Sequence, residues 1–234
     1  MVRPNIVDII DELTVSFEEP YADPSQIPMY YLSKLTREHV TVALNGDGGD
    51  ESFAGYERYL GMLYQSKYRK VPGIIRKIIY GLIKDLPENT AHRSFIRRFK
   101  WLNKISLADP AEAYLQIYRS FDAALKGKLY TDQMLNYAAA GEGDQEFIDY
   151  FNNPAAAGLV DKLLNTDVNT YLPQDLLVKA DRSTMHHSLE ARSPFLDYKF
   201  MEYAASLPAK YKLNGTNLKY LLKKISEKYL PKEI

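Results

Sequence analysis

Two stretches of this chain carry residue types able to do chemistry. The first, VALNGDGGDESFAGYERY at Val42–Tyr59, leaves an apolar run and enters a glycine loop that bears Asp47, Asp50 and Glu51 and no lysine. Successive free N–H groups in such a turn favour anions. In open parallel sheets, ligands bind at the carboxyl ends of the strands. Carboxylates placed there repel a phosphate unless a cation lies between them. Mg2+, held by one or two carboxylates plus phosphate oxygens, is the natural choice. The loop is not a phosphate loop of the Gly-Lys-Ser/Thr type, nor the dinucleotide pattern G-x-G-x-x-G. The plainer alternative is a tight strand-to-helix turn whose acids cap the helix and favour its positive end. On the residues alone both readings stand.

The second stretch, YLPQDLLVKADRSTMHHSLEARSPFLD at Tyr171–Asp197, gathers Asp175, Lys179, Asp181, Arg182, Glu190 and Arg192. At helical spacing Asp175 and Lys179 are expected to pair on one face, and Lys179 and Arg182 to present two cations together. The plain reading is a surface helix with ordinary ion pairs, each stabilising by a few tenths of a kcal/mol. Against it stand the apolar neighbours Leu176, Leu177, Val178, Leu189, Phe195 and Leu196. Charges in that setting are partly buried, and buried charges need partners. His186 and His187 are adjacent, so on a helix they diverge by about 100° and do not chelate one ion together. Tyr56 and Tyr59 follow the glycine loop, where packing is their simplest role.

The elements that must position these residues are mostly helical. Ile6, Ile9, Ile10 and Leu13 recur at helical spacing, with Pro4 near the start. A second helix is expected from Asp23–Ser25 through Arg37, capped by Asp23 or Ser25. VTVAL, residues 40–44, reads as a strand buried on both faces of a parallel sheet. Helices are expected at about 51–68, 73–86, 93–102, 110–120, 145–151, 155–169, 174–187, 198–206 and 217–229. AAAGEGD at 138–144 reads as an exposed loop, and residues 65–154 carry no clear motif. One strand does not make a sheet, so others are either weak in sequence or outside this chain.

Composition narrows the classes. The chain has 234 residues, 46% of them hydrophobic and 26% charged, which suits an ordinary globular protein. Lysine plus arginine and aspartate plus glutamate balance at 30 each, which argues against a dedicated nucleic-acid binder. With no cysteine, disulfides, cysteine nucleophiles and cysteine zinc sites are excluded. No apolar run approaches the roughly 18 residues of a membrane span.

Together the two stretches resemble the signatures of the glutamine-hydrolysing asparagine synthetase family, in its carboxy-terminal synthetase domain. EEPYADPSQIPMYYLSKLTREHVTVAL is similar to the family's approach to the first signature, with Glu18 where Asp is frequent. LPAKYKLNGTNLKYLLKKISEKYLPKEI is similar to the region after the second. The resemblance implies a helix-dominated α/β fold, a partial ATP-pyrophosphatase (adenine-nucleotide α-hydrolase-like) domain over residues 1–234. It implies ATP and Mg2+ as cofactors, with aspartate and glutamine-derived ammonia as reaction partners. ATP would adenylate the β-carboxylate of aspartate, and ammonia would displace AMP to give asparagine. No nucleic acid and no membrane are implied; the setting is cytoplasmic, and a homodimer is compatible.

Carried over by residue, Leu44, Asn45, Gly46, Gly48 and Gly49 are expected at the nucleotide, Asn45 standing where Ser is more usual. Asp47 is expected near the substrate carboxylate and Asp50 at Mg2+. Asp181, Arg182, Glu190 and Arg192 match the second signature and join Asp47 as candidate catalytic residues. Arg192 is expected to pair with a carboxylate. The family's Ser-Gly-Gly-x-Asp-Ser loop is absent, and so is the lysine expected just past Ile234. The expectation is therefore a fragment with half a site, inactive alone. Two alternatives remain. One is another adenylating amide-forming synthetase, of the β-lactam synthetase or peptide cyclase kind. The other is a non-catalytic helical interaction module.

Overall fold

In a computed structural model of the chain, residues 5–19, 21–87, 95–119, 121, 123–139 and 143–231 are described. Pro4, the first two residues of the helix expected at 93–102, and 140–142 of the expected loop lie outside them. Two compact units form. The first comprises residues 1–54, 167–212 and 219–234, and the second residues 55–166 and 213–218.

The first unit opens with α1 (Ile10–Phe17) and α2 (Gln26–Arg37), followed by β1 (Val42–Leu44) and α3 (Gly49–Phe53). Ile9, Leu13, Phe17 and Tyr30 form a buried cluster, with Ile27, Tyr31 and Val178 packed against it. The ring of Phe17 stacks on Tyr21 with centroids 4.6 Å apart. α2 begins where Asp23 accepts hydrogen bonds from the Ser25 backbone N–H at 2.9 Å and from the Ser25 hydroxyl at 2.6 Å. That local turn replaces the side-chain cap expected from either residue, since Ser25 makes no capping hydrogen bond to the helix.

The helix expected from Glu51 to Tyr68 is two helices. Ala54 adopts the left-handed conformation at φ 56 and ends α3; α4 (Glu57–Tyr68) begins the second unit. That unit continues with α5 (Gly73–Ile83), α6 (Phe95–Ser106), α7 (Pro110–Tyr118), α8 (Ala123–Leu129), α9 (Asp132–Ala139) and α10 (Gly143–Phe151). Most of α11 (Leu159–Asn169) follows. α8 and α9 fill a stretch with no expected helix. Tyr114, Phe147 and Phe151 pack α7 on α10, with centroid separations of 5.6 and 6.0 Å.

The chain re-enters the first unit within α11, at Asp167, and continues through a single π-helical turn, Leu172–Leu176, then α12 (Leu177–His186), β2 (Glu190–Arg192) and a 3₁₀ turn, Pro194–Leu196. α13 (Tyr198–Ser206), α14 (Ala209–Lys212) and α15 (Tyr220–Ser226) complete it. β2 supplies the missing strand: it runs parallel to β1, with Val42 opposite Glu190, Ala43 opposite Ala191 and Leu44 opposite Arg192. The long connection that parallel pairing requires runs here through the second unit and α12.

The expectation of a strand buried on both faces is corrected: Val42 is 41% exposed and Leu44 74% exposed. Directly paired residues of parallel strands share a face. Val42, Leu44, Glu190 and Arg192 therefore stand on one side of the sheet, which no described element covers, and Ala43 and Ala191 stand on the other. Phe53, Phe195 and Phe200 form a triangle, with centroids 5.7 to 6.3 Å apart, that locks α3, the 3₁₀ turn and α13 together.

Candidate active site

The site grows from the carboxyl ends of the two strands. The Asn45 N–H donates to the Arg192 carbonyl at 2.9 Å, extending the ladder one residue past β1. The Asn45 side chain then joins the two signature stretches. Its Nδ2 donates to Asp47 Oδ2 at 2.8 Å, and its Oδ1 accepts from the Ser193 hydroxyl. A carboxamide offers a donor and an acceptor on one planar group, so Asn45 satisfies a partner on each side. A serine hydroxyl there would reach less far.

The glycines are explained chiefly by packing. Gly48 has φ +86, and a Cβ there would lie 2.3 Å from Leu196 Cδ2. At Gly49 a Cβ would meet the Phe195 ring at 3.5 Å, whereas at Gly46 it would meet nothing within 4 Å. Gly48 and Gly49 are buried and Gly46 is exposed. Of the three, Gly46 alone has space for a ligand against its backbone. The tight turn lets α3 begin immediately, with the Ser52 N–H donating to the Gly48 carbonyl at 3.0 Å.

Beside this turn lies a cavity of about 540 Å³, with Asn45 and Asp47 on one side and Leu177, Ala180, Asp181 and Thr184 of α12 on another. Glu190, Ser193 and Asp197 also line it. Its acidic lining residues are Asp47, Asp181, Glu190 and Asp197, with no basic residue among the described ones; Glu190 is engaged by Arg192, and Asp197 accepts from the Phe200 N–H. Burial pushes the Asp47 carboxyl above its ordinary range; the charge of Lys179 opposes this without cancelling it. A pocket of this character favours a positively charged or proton-donating group, such as an ammonium.

The cations of the second stretch point elsewhere. Lys179 is not paired with Asp175: its Nζ lies 2.6 Å from Asp23 Oδ2 and 2.7 Å from Ser25 Oγ. Asp175 instead accepts from the Tyr21 hydroxyl. Asp175 sits in the π turn Leu172–Leu176 and Lys179 in the helix that follows, each held by a residue from near the start of the chain. Burial alone would raise the Asp23 carboxyl, but hydrogen bonds from Lys179 and Ser25 outweigh it and hold the group below its ordinary range. Arg182 reaches Glu18 at 3.4 Å rather than standing beside Lys179. Arg192 Nε lies 2.7 Å from Glu190 Oε1, the two being neighbours on one face of β2.

Asp50 meets Lys219, whose Nζ is 2.9 Å from its Oδ1. Lys219 precedes α15 in the left-handed conformation at φ 52, which turns the chain toward α3. So the acidic loop does have a lysine, brought from far along the sequence. Among the described residues, no group of three or more His, Cys, Asp or Glu could hold a metal ion. Asp50 thus fits a divalent ion only as one carboxylate among ligands supplied by phosphate and water. Glu51 is buried.

The structure gathers Asn45, Asp47, Asp181 and Glu190 around one cavity. Leu44, Gly46, Gly48, Gly49, Asp50, Arg182 and Arg192 are not in its lining. Sequence reasoning passed over Ser193, Asp197 and Lys219. For Ser193 the available signal was its place directly after β2, opposite an asparagine whose amide needed an acceptor and a donor.

Comparison with known proteins follows these observations closely. A family model described as asparagine synthase matches residues 1–234. Asparagine synthetase [glutamine-hydrolyzing] 1 of Bacillus subtilis is 30% identical over 220 residues, covering 93% of this chain and 33% of that protein. Asparagine synthetase [glutamine-hydrolyzing] of Gallus gallus is 48% identical over 62 residues, 25% of this chain and 11% of that protein. The chain spans 33% of the length of the first of these relatives. No solved structure gives a significant match.

Proposed function

This chain belongs to the asparagine synthase family, and from that premise we propose that it forms part of an ATP-dependent amide ligase acting on aspartate. In this reading a β-carboxylate oxygen of aspartate attacks the α-phosphorus of ATP and pyrophosphate leaves. The nitrogen of ammonia then attacks the acyl carbon, and AMP leaves with the bonding electrons. The relatives are named as glutamine-hydrolysing, so glutamine is taken as the ammonia source.

The observation that carries the proposal is the acid-lined cavity where both signature stretches converge. Asp47, with its carboxyl pushed upward by burial, is suited to accept a proton from ammonium and so free the ammonia that attacks. Asp181 adds negative potential that favours an ammonium over a neutral competitor, whereas the Glu190 charge is paired with Arg192. Asn45 orients Asp47 through its 2.8 Å hydrogen bond, and Gly46 leaves room for the nucleotide beside its backbone. Asp50 would supply a carboxylate to Mg2+ accompanying the phosphates, in exchange with or alongside Lys219; bound there, Mg2+ would neutralise charge on the leaving pyrophosphate. The fold assigned to this domain is the ATP-pyrophosphatase type, with β1 and β2 as two of its parallel strands.

The test is aspartate-dependent exchange between ATP and pyrophosphate in the intact protein, followed by ammonia-dependent formation of asparagine. Asp47→Asn is expected to lower asparagine formation by at least about 100-fold and to leave more of the exchange. Absence of aspartate-dependent exchange in the unaltered protein would sink the proposal.

A further inference from the structure

The second unit holds a cavity that the synthetase reading does not use. It lies between α5 and α6, has a volume of about 560 Å³, and among the described residues is lined by five cations and no acid: Lys84, Arg97, Arg98, Lys100 and Lys104. Two aromatic residues, Tyr80 and Trp101, complete the lining. Spacing on α6 explains the convergence. Arg97, Lys100, Trp101 and Lys104 follow i, i+3, i+4, i+7 and so share one face, with Arg98 at its border.

Lys84 lies 3.9 Å from Asp85, and both are exposed. Arg97, Arg98 and Lys104 have no carboxylate partner among the described residues. Lys100 is only 9% exposed, and its Nζ donates to the Leu86 carbonyl at 2.6 Å. Clustering like charges in a concave, partly desolvated wall costs free energy unless an anion enters.

Trp101 is fixed in place by its neighbour. A Cβ at Gly61 would lie 3.0 Å from Trp101 Cη2 and 3.2 Å from Cζ3, so the indole lies against the bare backbone of α4. A mid-helix glycine costs roughly 1 kcal/mol relative to alanine, and here it makes room for a large ring that remains 37% exposed.

We propose that this cavity binds a multiply charged phosphate-bearing ligand, gripped by Arg97, Arg98 and Lys104 and packed against Trp101. Guanidinium groups match phosphate oxygens two at a time, and the lysines add point charges. The phosphate has two possible sources. One is a free polyphosphate or nucleotide. The other is a lipid headgroup, since Ile74, Ile78 and Leu82 form an exposed apolar stripe at i, i+4, i+8 on α5, the helix that Lys84 directly follows.

Trp101 is the single tryptophan of the chain, so its fluorescence reports on this cavity alone. The 234-residue chain is titrated with sodium tripolyphosphate, with vesicles containing an anionic phospholipid, and with neutral phosphatidylcholine vesicles. Sodium chloride at matched ionic strength is the reference. A saturable change with tripolyphosphate, absent with chloride, supports the site with a soluble ligand. A change confined to anionic vesicles supports it with a headgroup. In the R97Q/R98Q/K104Q variant the apparent Kd should rise by at least about tenfold, since each charged hydrogen bond is worth roughly 1.5–3 kcal/mol. All three side chains are exposed, and unchanged circular dichroism establishes that the variant folds. The proposal is overturned by no response to either phosphate source. It is equally overturned by a response that chloride reproduces or that survives the triple substitution.

Discussion

Replacing Lys179 with methionine tests whether the Lys179–Asp23 pair holds α12, and with it one wall of the acid-lined cavity. The side chains are 12% and 19% exposed and 2.6 Å apart. Breaking a fully buried pair costs about 3–5 kcal/mol, because the remaining charge is stranded. Partial exposure and the two hydrogen bonds from Ser25 to Asp23 reduce that to about 2–3 kcal/mol for Lys179→Met. The chain has two units, so global unfolding is a poor reporter. Hydrogen exchange of α2 and α12 amides reads the local opening free energy directly. At 1.36 kcal/mol per tenfold, exchange there should quicken by roughly 30- to 150-fold, while α6 and α7 in the second unit remain unchanged. Asp23→Asn should show a smaller effect, and the double variant should fall short of the sum by about 1–2 kcal/mol. The pair also has a pH signature. Asp23 is held below its ordinary range in the folded chain, so its contribution is present above about pH 4 and is lost as pH falls through the depressed value. Additive single effects, or exchange in Lys179→Met within about twofold of the unaltered chain, would refute the reasoning.

The remaining predictions concern the loop. Asp47 is raised by burial, so its folded form holds a proton more tightly than its unfolded form. Its stability contribution is therefore present at low pH and lost as pH rises above about 4. Asp47→Asn should stabilise the first unit at neutral pH, by a margin that vanishes below about pH 4, while it lowers asparagine formation; thermal melts across pH together with product assay read both effects. Gly48→Ala should destabilise by about 1–3 kcal/mol through its φ of +86 and the overlap with Leu196. Leu196→Ala in the same chain should recover only the steric part, as followed by denaturant midpoints. Lys219→Met should cost no more than about 1 kcal/mol, because Lys219 and Asp50 are each about a third exposed; a larger loss in melts would assign this pair a structural role.

What the sequence determined on its own is what local spacing encodes. Helical periodicity placed most of the helices, and the β-branched run at 40–44 placed β1. The combination of two distant signatures identified the family, and the expected residues Asp47, Asp181 and Glu190 fall around one cavity. Tertiary structure decided the rest. Glu190–Arg192 has no strand signature and becomes one only by pairing with Val42–Leu44. Ala54 in the left-handed conformation, a local break no propensity suggests, divides the expected long helix. Lys179 meets Asp23 rather than Asp175, whose carboxylate is taken by the Tyr21 hydroxyl from far along the chain. The lysine of the acidic loop, Lys219, comes from the other end of the chain. Periodicity reports which face of an element is apolar, but not which distant charge will meet another; that choice depends on the burial and geometry that exist only once the elements have packed.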